Sequence, residues 1–500
     1  MPPPIHIHPG NPKCFEFRGR PLVLVTATEH YGAVMNRPFR FERYLADAAE
    51  KGMTLTRLFV LFRELQSACN PYSTCKPESP DYLAPFLRTG PGLAADGQPK
   101  YDLDQWNPEF FDRLHRFLAL TSDYGIVVEI VLLSNTYHDS IWALHPLHPA
   151  NNFSGLEEIR WPEYMSLRHP QLLRRQMAHV RKIVAETRRY DHVIYEICNE
   201  PGGRFSPGDP TLDEVNQWQM AIAKVIRQAE AGRPHRHLIA GQEAFAYRLE
   251  DESTRAGPDV HQFADASFAS LGFDIVNMHP LSNMIYRDQH YQLGQFMQAQ
   301  LRLADLRQYC LDTYREPKPL NLDEDNAASQ YKDVTGWTIH RKRAWTTLFC
   351  GGHYDVIDFS IINYCETGTP QSQRCLRAWM GYLAAFIHSV DLVHARPRAD
   401  FLTHQPPHTV ASVLAVPGRD YCIYLADARE RDDPGSGGPI RGALAVDLPR
   451  GGYRLSCYSP ATGLYSPALP LAGKSRCRIV LPEFRDDLVV RIQRGPVRVP

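Results

Sequence analysis

Hydrophobic and polar positions follow two alternating rhythms over most of this chain. Short apolar runs such as "PLVLVTAT" (21–28) and "IVVEIVLL" (126–133) are continuous enough to predict strands buried on both faces. Between such runs lie longer stretches with helical spacing. "FRFERYLADAAEKG" puts Phe41, Tyr44, Leu45 and Ala48 on one face and stops at Gly52. "NPEFFDRLHRFLALTSDYG" (107–125) is amphipathic in the same way. Six more strands are predicted, at 53–62, 192–199, 237–243, 273–280, 319–324 and 355–364. The helices that go with them are read in "HPQLLRRQMAHVRKIVAETRRY", "LDEVNQWQMAIAKVIRQAEA", "QLGQFMQAQLRLADLRQYCLDTY", "IHRKRAWTTLFCGG" and "RCLRAWMGYLAAFIHSV".

Strands that alternate with helices predict a parallel sheet, and eight such units match a (β/α)8 barrel, an α/β fold of roughly 250 residues plus insertions. An open doubly wound sheet is the competing architecture. It would carry a glycine-rich phosphate turn after an early strand, where this chain has "TATEHYG". "CFEFRGRPLVLV" is read as a small hairpin over the barrel floor, and 64–105, with Cys69 and Cys75, as an elaborated loop beside the exit of strand 2. The rhythm then changes. "HARPRADFLTHQPPH" has the composition of a linker, and "TVASVLAV", "DYCIYLAD", "GALAVDLP", "GYRLSCYSP", "RCRIVLP" and "DLVVRIQ" are short alternating runs of a β-sandwich. The expected division is a barrel over 1–392, a linker over 393–408 and a sandwich over 409–500.

Composition narrows the picture without deciding it. The 500 residues are 43% hydrophobic and 22% charged, with a formal net charge of -1, so nothing marks a nucleic-acid surface. No run approaches the roughly 20 apolar residues of a membrane span. "MPPPIHIHPGNPK" lacks a basic region followed by an apolar one, so a cytoplasmic location is expected, or a secreted one if a leader has been removed. The 11 cysteines show no repeating spacing, and Cys198, Cys422 and Cys457 lie in strand-like runs, where buried free thiols are expected.

In a (β/α)8 barrel the chemistry sits at the C-terminal ends of the strands. Those ends hold Glu29, His30 and Tyr31 (strand 1), then Arg57 with Arg63 and Glu64 beyond (strand 2). Strand 3 offers Asn135, Tyr137 and His138, strand 4 Asn199 and Glu200, and strand 5 Gln242 and Glu243. His279 ends strand 6, Asp323, Glu324 and Asp325 end strand 7, and Asp358, Ser360 and Asn363 end strand 8. A purely structural barrel has no need of so many carboxylates and imidazoles at one end. Asn-Glu-Pro alone could cap a loop. Its weight comes from a second acid ending the strand across the mouth, because two carboxyls flanking a bond are what glycoside hydrolysis requires. Alternation is expected to turn Asp323 and Asp325 away from the side that Glu324 occupies. Glu324, with the longer reach, is favoured as the partner of Glu200, and Asp323 is the alternative. Glu196 shares a strand and a parity with Glu200 but lies deeper, as a structural carboxylate.

"GMTLTRLFV", "YEICNEP", "VNMHP" and "KPLNLDEDN" together resemble the clan A retaining glycoside hydrolases, similar to the cellulase-like family 5 enzymes, over about residues 15–390. The resemblance implies that Glu200 is the acid/base and Glu324 the nucleophile, acting on β-linked glycosides. It further implies that Asn199 bonds the sugar 2-hydroxyl, Arg57 steadies the nucleophile and His279 lines the site. Glu29, His30, Tyr31, Tyr137 and His138 are further candidate substrate contacts. The family's tyrosine two residues after the strand-6 histidine is Leu281 here, so Tyr286 or another tyrosine is expected in that role. The tryptophan that often ends strand 8 is absent, which leaves Tyr364 or Trp337 as the sugar platform. The C-terminal domain resembles the small β domain, sometimes labelled collagen-binding-like, appended to many such hydrolases, and packing against the barrel is its expected role.

No cofactor and no metal are expected, and the expected partner is a glycoside, oligosaccharide or polysaccharide. One rival is a metal-dependent hydrolase, since "IHIHPG" (His6, His8) mimics a His-x-His pair, although it precedes the first barrel strand. A non-catalytic carbohydrate-binding barrel is the second rival, and transglycosylation would use the same residues.

Overall fold

The computed structural model describes residues 3–29, 32–62, 81–203, 206–246, 261–280, 283–294, 301–329 and 331–495. Eight parallel strands form one sheet: β1 (Val25–Thr28), β2 (Leu55–Phe59), β3 (Val127–Ser134), β4 (Val193–Asn199), β5 (Ile239–Gly241), β6 (Ile275–Asn277), β7 (Leu320–Asp325) and β8 (His353–Ile357). Their order is β1-β8-β7-β6-β5-β4-β3-β2, each paired with its neighbour. The ring closes at the base, where Thr54 N–H donates to Val25 O at 3.1 Å and Val25 N–H donates to Thr54 Oγ1 at 2.9 Å. Helices pack outside: α1 (Phe41–Glu50), α2 (Pro108–Tyr124), α3 (Pro170–Thr187), α4 (Leu212–Ala229), α5 (Asp265–Ala269), α6 (Leu303–Thr313), α7 (Val334–Phe349) and α8 (Leu376–Ile387). The face expected for α1 is buried at Phe41, Tyr44, Leu45 and Ala48.

Two layers fill the barrel. At the floor, Leu24, Leu55, Val127, Ile194, Ala240 and Ile275 form one apolar cluster with Ile5, Phe15 and Phe17. Phe15 and Phe17 come from a three-stranded antiparallel sheet, His6–His8, Asn11–Phe17 and Arg20–Leu22, with Ile5 just before it, and this sheet plugs the floor where the sequence reading places a hairpin. Two residues further along each of five strands, on the same inward parity, stands a buried polar group: Arg57, Glu129, Glu196, Gln242 and Asn277. Each strand therefore seals the floor and then supplies a polar layer beneath the mouth.

Several boundaries differ from the sequence reading, three of them for reasons visible in local contacts. Strand 8 ends at Ile357 because Asp358 Oδ1 accepts from Ser360 N–H at 2.9 Å, an Asx turn that takes the chain out of the sheet. Helix α7 starts five residues before the predicted Ile339, since the Asp333 side chain accepts from Gly336 N–H and caps it. Helix α6 begins only at Leu303; Gln289–Gln292 is a strand instead, with Tyr291 and Leu293 buried and Gln292 exposed at period two. In the strand-2 insertion, Phe86–Leu93 and Pro99–Trp106 form a hairpin, and Cys69 and Cys75 lie outside the described residues. The nine cysteines that are described are free thiols.

The C-terminal strands form a sandwich. One sheet contains β9 (Thr409–Val416), β10 (Asp420–Asp427), β11 (Gly451–Ser459), β12 (Leu464–Tyr465) and β13 (Asp487–Arg494), in the order β9-β10-β13-β11-β12. Leu402–His404, Ala443–Val446 and Cys477–Val480 make the second sheet, and Ile423, Leu425, Leu444, Val446, Val490 and Ile492 lie in the core between them. Arg396–Pro397 pairs with β9, so chain read as linker already belongs to the first sheet. Against the barrel, Trp345 of α7 stacks on Tyr424 at 5.5 Å between ring centres, and Arg341 holds Asp487 by two hydrogen bonds of 2.8 and 2.9 Å. Both ends of this ion pair are buried, and removing Asp487 leaves Arg341 only the longer contact of 3.7 Å to Asp486. Asp487→Ala is expected to cost about 3–5 kcal/mol and to lower the midpoint of thermal unfolding. A midpoint unchanged from the parent would show that the domains do not depend on this contact.

Candidate active site

Arg57 on β2 is the hub of the barrel interior. It is 2% exposed. Its Nε and Nη2 donate to the two carboxylate oxygens of Glu196 at 2.7 and 2.6 Å. Nη2 also donates to Asn199 Oδ1 at 2.8 Å, Nη1 donates to Glu324 Oε2, and Nε lies 3.3 Å from Asp323 Oδ2. A planar guanidinium can serve acceptors on two other strands at once, which a lysine's point charge cannot.

Above this hub, His279 joins the two acids of the mouth. Its Nδ1 lies 3.0 Å from Glu200 Oε1 and 3.9 Å from Glu324 Oε1, and its Nε2 lies 3.3 Å from Asp323 Oδ2. One side-chain oxygen each of Glu200 and Glu324 and a ring nitrogen of His279 all lie within 4.8 Å of one another. Glu200 follows β4 with φ +47°, a left-handed conformation that a non-glycine residue holds only where its surroundings impose it. Asn135 Nδ2 donates to the Glu200 carbonyl at 3.0 Å and ties that turn to β3. Asn199 Nδ2 donates to Tyr137 Oη at 2.5 Å, and Tyr137 itself has φ +58°.

The expected side for Asp323 is corrected by the structure. Asp325 does face outward, where Arg343 Nε at 2.6 Å and Tyr354 Oη at 2.8 Å donate to it. Asp323, however, points into the barrel beside Glu324, accepting from Asn277 Nδ2 at 3.0 Å. The register with β8 slips between Leu322 and Asp325, three steps on β7 opposing two on β8. Such a bulge breaks strict alternation and lets two successive side chains share a face.

Charge in this interior is set by burial and by the two cations. Burial and the negative charges of Glu196 and Asp323 push Glu129 well above the carboxylate range, and it takes hydrogen bonds from Asn277 and Asn321. Burial raises Glu196, with Arg57 pulling against it. Asp323 goes the other way: against burial, His279 and Arg57 hold it below the usual range. His279 is lowered by burial but lifted well above a normal histidine by Glu324 and Asp323. With a carboxylate at each ring nitrogen, the imidazolium is the form that donates to both. Burial pushes the Glu324 carboxyl up to about 8, against His279 and Arg57, and the charge of Glu200 adds to the rise.

Among the described residues, two groups have donor sets that could hold a metal ion, Glu200 with His279 and Glu324, and Glu129 with Glu196 and Asp323. Arg57 and His279 already provide both with positive charge. His6 and His8 lie in the floor sheet, at the opposite end of the barrel from these groups.

The other candidates separate by position. Glu29 Oε1 accepts from Ala33 N–H at 2.8 Å and shapes the loop after β1. His138 caps a short helix, its Nδ1 accepting from Ser140 N–H at 3.2 Å. Trp337 is 2% exposed and packs in the main apolar cluster, on a helix buried on nearly every side, so it offers no open ring face as a platform. Tyr286 does not replace the missing tyrosine, because its hydroxyl donates to Glu316 and its ring packs on Phe268 and Tyr309. Tyr364 is 77% exposed. Asp358 is occupied by Ser360 and Ser372, and Glu243 Oε2 accepts from Ala266 N–H in the first turn of α5. His30, Tyr31, Arg63, Glu64 and Leu281 lie outside the described residues. Sequence reasoning missed Asp323 as an inward group, together with Glu129 and Asn277. The signal was present in "LTR", "VVE", "IYE" and "IVN", which repeat an apolar residue two places before a polar one at equal depth.

The model of the family described as cellulase (glycosyl hydrolase family 5) matches residues 35–301. A glycoside hydrolase family 5 structure from Bacteroides vulgatus shares the fold with a TM-score of 0.59 at 12% identity, covering 98% of this chain and 93% of that one. Another structure, described as a glycoside hydrolase, gives 0.59 at 11% identity over 99% and 97%. No curated protein sequence matches.

Proposed function

The chain belongs to glycosyl hydrolase family 5 and is therefore a glycoside hydrolase, and we propose that it cleaves β-linked O-glycosides with retention, Glu324 as nucleophile and Glu200 as acid/base. The observation that carries this reading is the approach of the two carboxyls to within 4.8 Å at one point, bridged by His279. Retaining enzymes hold their two carboxyls about 5–5.5 Å apart, whereas an inverting pair stands further off to admit a water.

In the first step a Glu324 oxygen bonds to the anomeric carbon as the glycosidic C–O bond breaks, and Glu200 gives its proton to the leaving oxygen. Arg57 engages Oε2, so attack falls to Oε1. As Glu200 becomes anionic, the imidazolium of His279 is already placed to donate to it. In the second step Glu200 takes a proton from water, the water oxygen bonds to the anomeric carbon, and the Glu324–carbon bond breaks. Asn199, fixed between Arg57 and Tyr137, is the candidate for the sugar 2-hydroxyl. Proton NMR of the first-formed product from an aryl β-glycoside tests the stereochemistry. The β-anomer is expected, and the α-anomer would overturn the double displacement.

The pH profile tests the shared proton. The free enzyme needs one proton on the Glu200–Glu324 pair, and the hydrogen bond from Arg57 favours the charge on Glu324. Because the two carboxyls interact, the value of about 8 belongs to the pair. Above it both are ionised and no acid remains. The kcat/KM for an aryl β-glycoside should therefore fall as pH rises through about 8. A profile flat to pH 10 would remove the paired-acid reading.

A further inference from the structure

We propose that the cleft between α8 and the C-terminal sheet is a second carbohydrate site, which takes a short oligosaccharide at the floor end of the barrel. The proposal rests on the chain being a glycoside hydrolase but not on the roles given to Glu200 and Glu324.

The cleft follows from how one sheet face is shared out. On β11 and β13 the pairs Tyr458↔Val489, Ser456↔Arg491 and Arg454↔Gln493 turn to the same side. The first pair is apolar and sits against the barrel, where Tyr458 packs on Phe386 with ring centres 4.9 Å apart. The next two pairs are polar: Arg491 is buried and bonded to Ser389 of the barrel, and the barrel leaves Arg454↔Gln493 beyond it uncovered. They line an open cleft of about 490 Å³ with Phe386, Ser389 and Tyr465. That volume is in the usual range for small-ligand sites.

The walls are fixed in place. Tyr465 is 47% exposed, yet its ring lies 4.8 Å from that of Tyr458 and its hydroxyl accepts from Arg491 Nη1 at 3.1 Å. Arg491 is a strut: it also donates to Asp420, to Ser389 Oγ at 2.8 Å and to Ser389 O at 3.0 Å. Arg454 is different. It is exposed, stands across from Gln493, and has no ion-pair partner among the described residues. A rigid, half-exposed tyrosine ring beside an uncommitted guanidinium suits a sugar, while the Gln493 amide is already bonded to Asp420 at 3.3 Å. The ring takes the C–H face, and the planar fork takes two adjacent oxygens. Those oxygens are a vicinal diol or a uronate carboxylate.

The cleft is not an extension of the active site. In this barrel the helices run from mouth to floor, and Ser389 lies just past the C-terminus of α8. There His388 Nε2 accepts from Val23 N–H at 3.2 Å, just below the start of β1. The 12 residues of α8 span about 18 Å. A chain held in the cleft is therefore tethered, and the benefit falls on polymeric substrates through effective concentration.

The test is calorimetric titration of the full-length Glu324→Gln protein with cellotriose, mannotriose, xylotriose and trigalacturonate, repeated with Tyr465→Ala, Tyr465→Phe or Arg454→Ala added. At least one trisaccharide should bind at two sites. Tyr465→Ala should weaken one of them by about tenfold or more, the usual effect of losing a stacking ring, and Tyr465→Phe should retain it. Loss in Arg454→Ala confined to trigalacturonate identifies a carboxylate, and loss for a neutral sugar identifies a diol. Single-site binding unchanged by Tyr465→Ala, or no binding of any of the four, overturns the proposal. Failure of the catalytic assignment would appear separately, as normal turnover of an aryl β-glycoside by Glu324→Gln.

Discussion

Glu324→Gln is expected to lower kcat on an aryl β-glycoside by about 10⁴-fold or more, the scale of loss when a covalent nucleophile is removed. The amide has the same shape but cannot form the glycosyl ester. The fold should survive, because Arg57 keeps Glu196 and Asp323 as partners and one buried charge is removed. Two companion results separate a nucleophile from a group that merely assists. Azide should restore turnover to Glu324→Gly by entering the vacated space, giving a glycosyl azide of inverted configuration. Glu200→Ala should lose least on substrates whose leaving group needs no proton. Near-normal kcat in Glu324→Gln would move the nucleophile elsewhere, with Asp323 the first place to look because it faces the same interior.

The barrel was legible because buried parallel strands read as continuous apolar runs, and every run here except the fifth has a helix-length segment to follow it. That order alone put Glu200 and Glu324 at opposite strand ends, and the structure brings them together. The limits of the reading have local causes. Period-two alternation puts Asp323 and Glu324 on opposite sides only if β7 is regular, and a single bulge lets both face the interior. Trp337 and Tyr286 are aromatic residues near the mouth in sequence, but one lies on a helix buried on nearly every side and a carboxylate holds the hydroxyl of the other. The contact of Tyr286 with Glu316 has no signature at the 30 residues in sequence over which it acts, whereas the Asp333 cap is a local helix-start signal that the sequence reading passes over. The polar layer is an intermediate case. Its spacing can be counted in five strands, but its meaning depends on knowing which apolar residues form the floor.

That layer makes Arg57 the residue with the widest consequences. Glu196, Asp323 and Glu324 come from two strands and converge on one guanidinium. In Arg57→Met three buried carboxyls lose their common partner, and the expected cost is about 3–5 kcal/mol, as for a buried ion pair broken on one side. The pH dependence identifies the cause. Arg57 lowers the pKa of all three acids in the folded protein. Without it they hold protons that the unfolded chain releases, so the folded state binds more protons and stability falls as pH rises. Arg57→Met should thus be less destabilised at pH 5 than at pH 8 in denaturant unfolding. A simple packing defect would cost the same at both. Activity should fall with it, by about 10²-fold or more, the scale for losing one charged donor to a reacting oxygen. Arg57→Lys should recover much of the stability but little of the activity, since one ammonium cannot reach Glu196, Asn199 and Glu324 together. Equal stability loss at both pH values would mean that Arg57 fills space in the barrel and does not govern its charge.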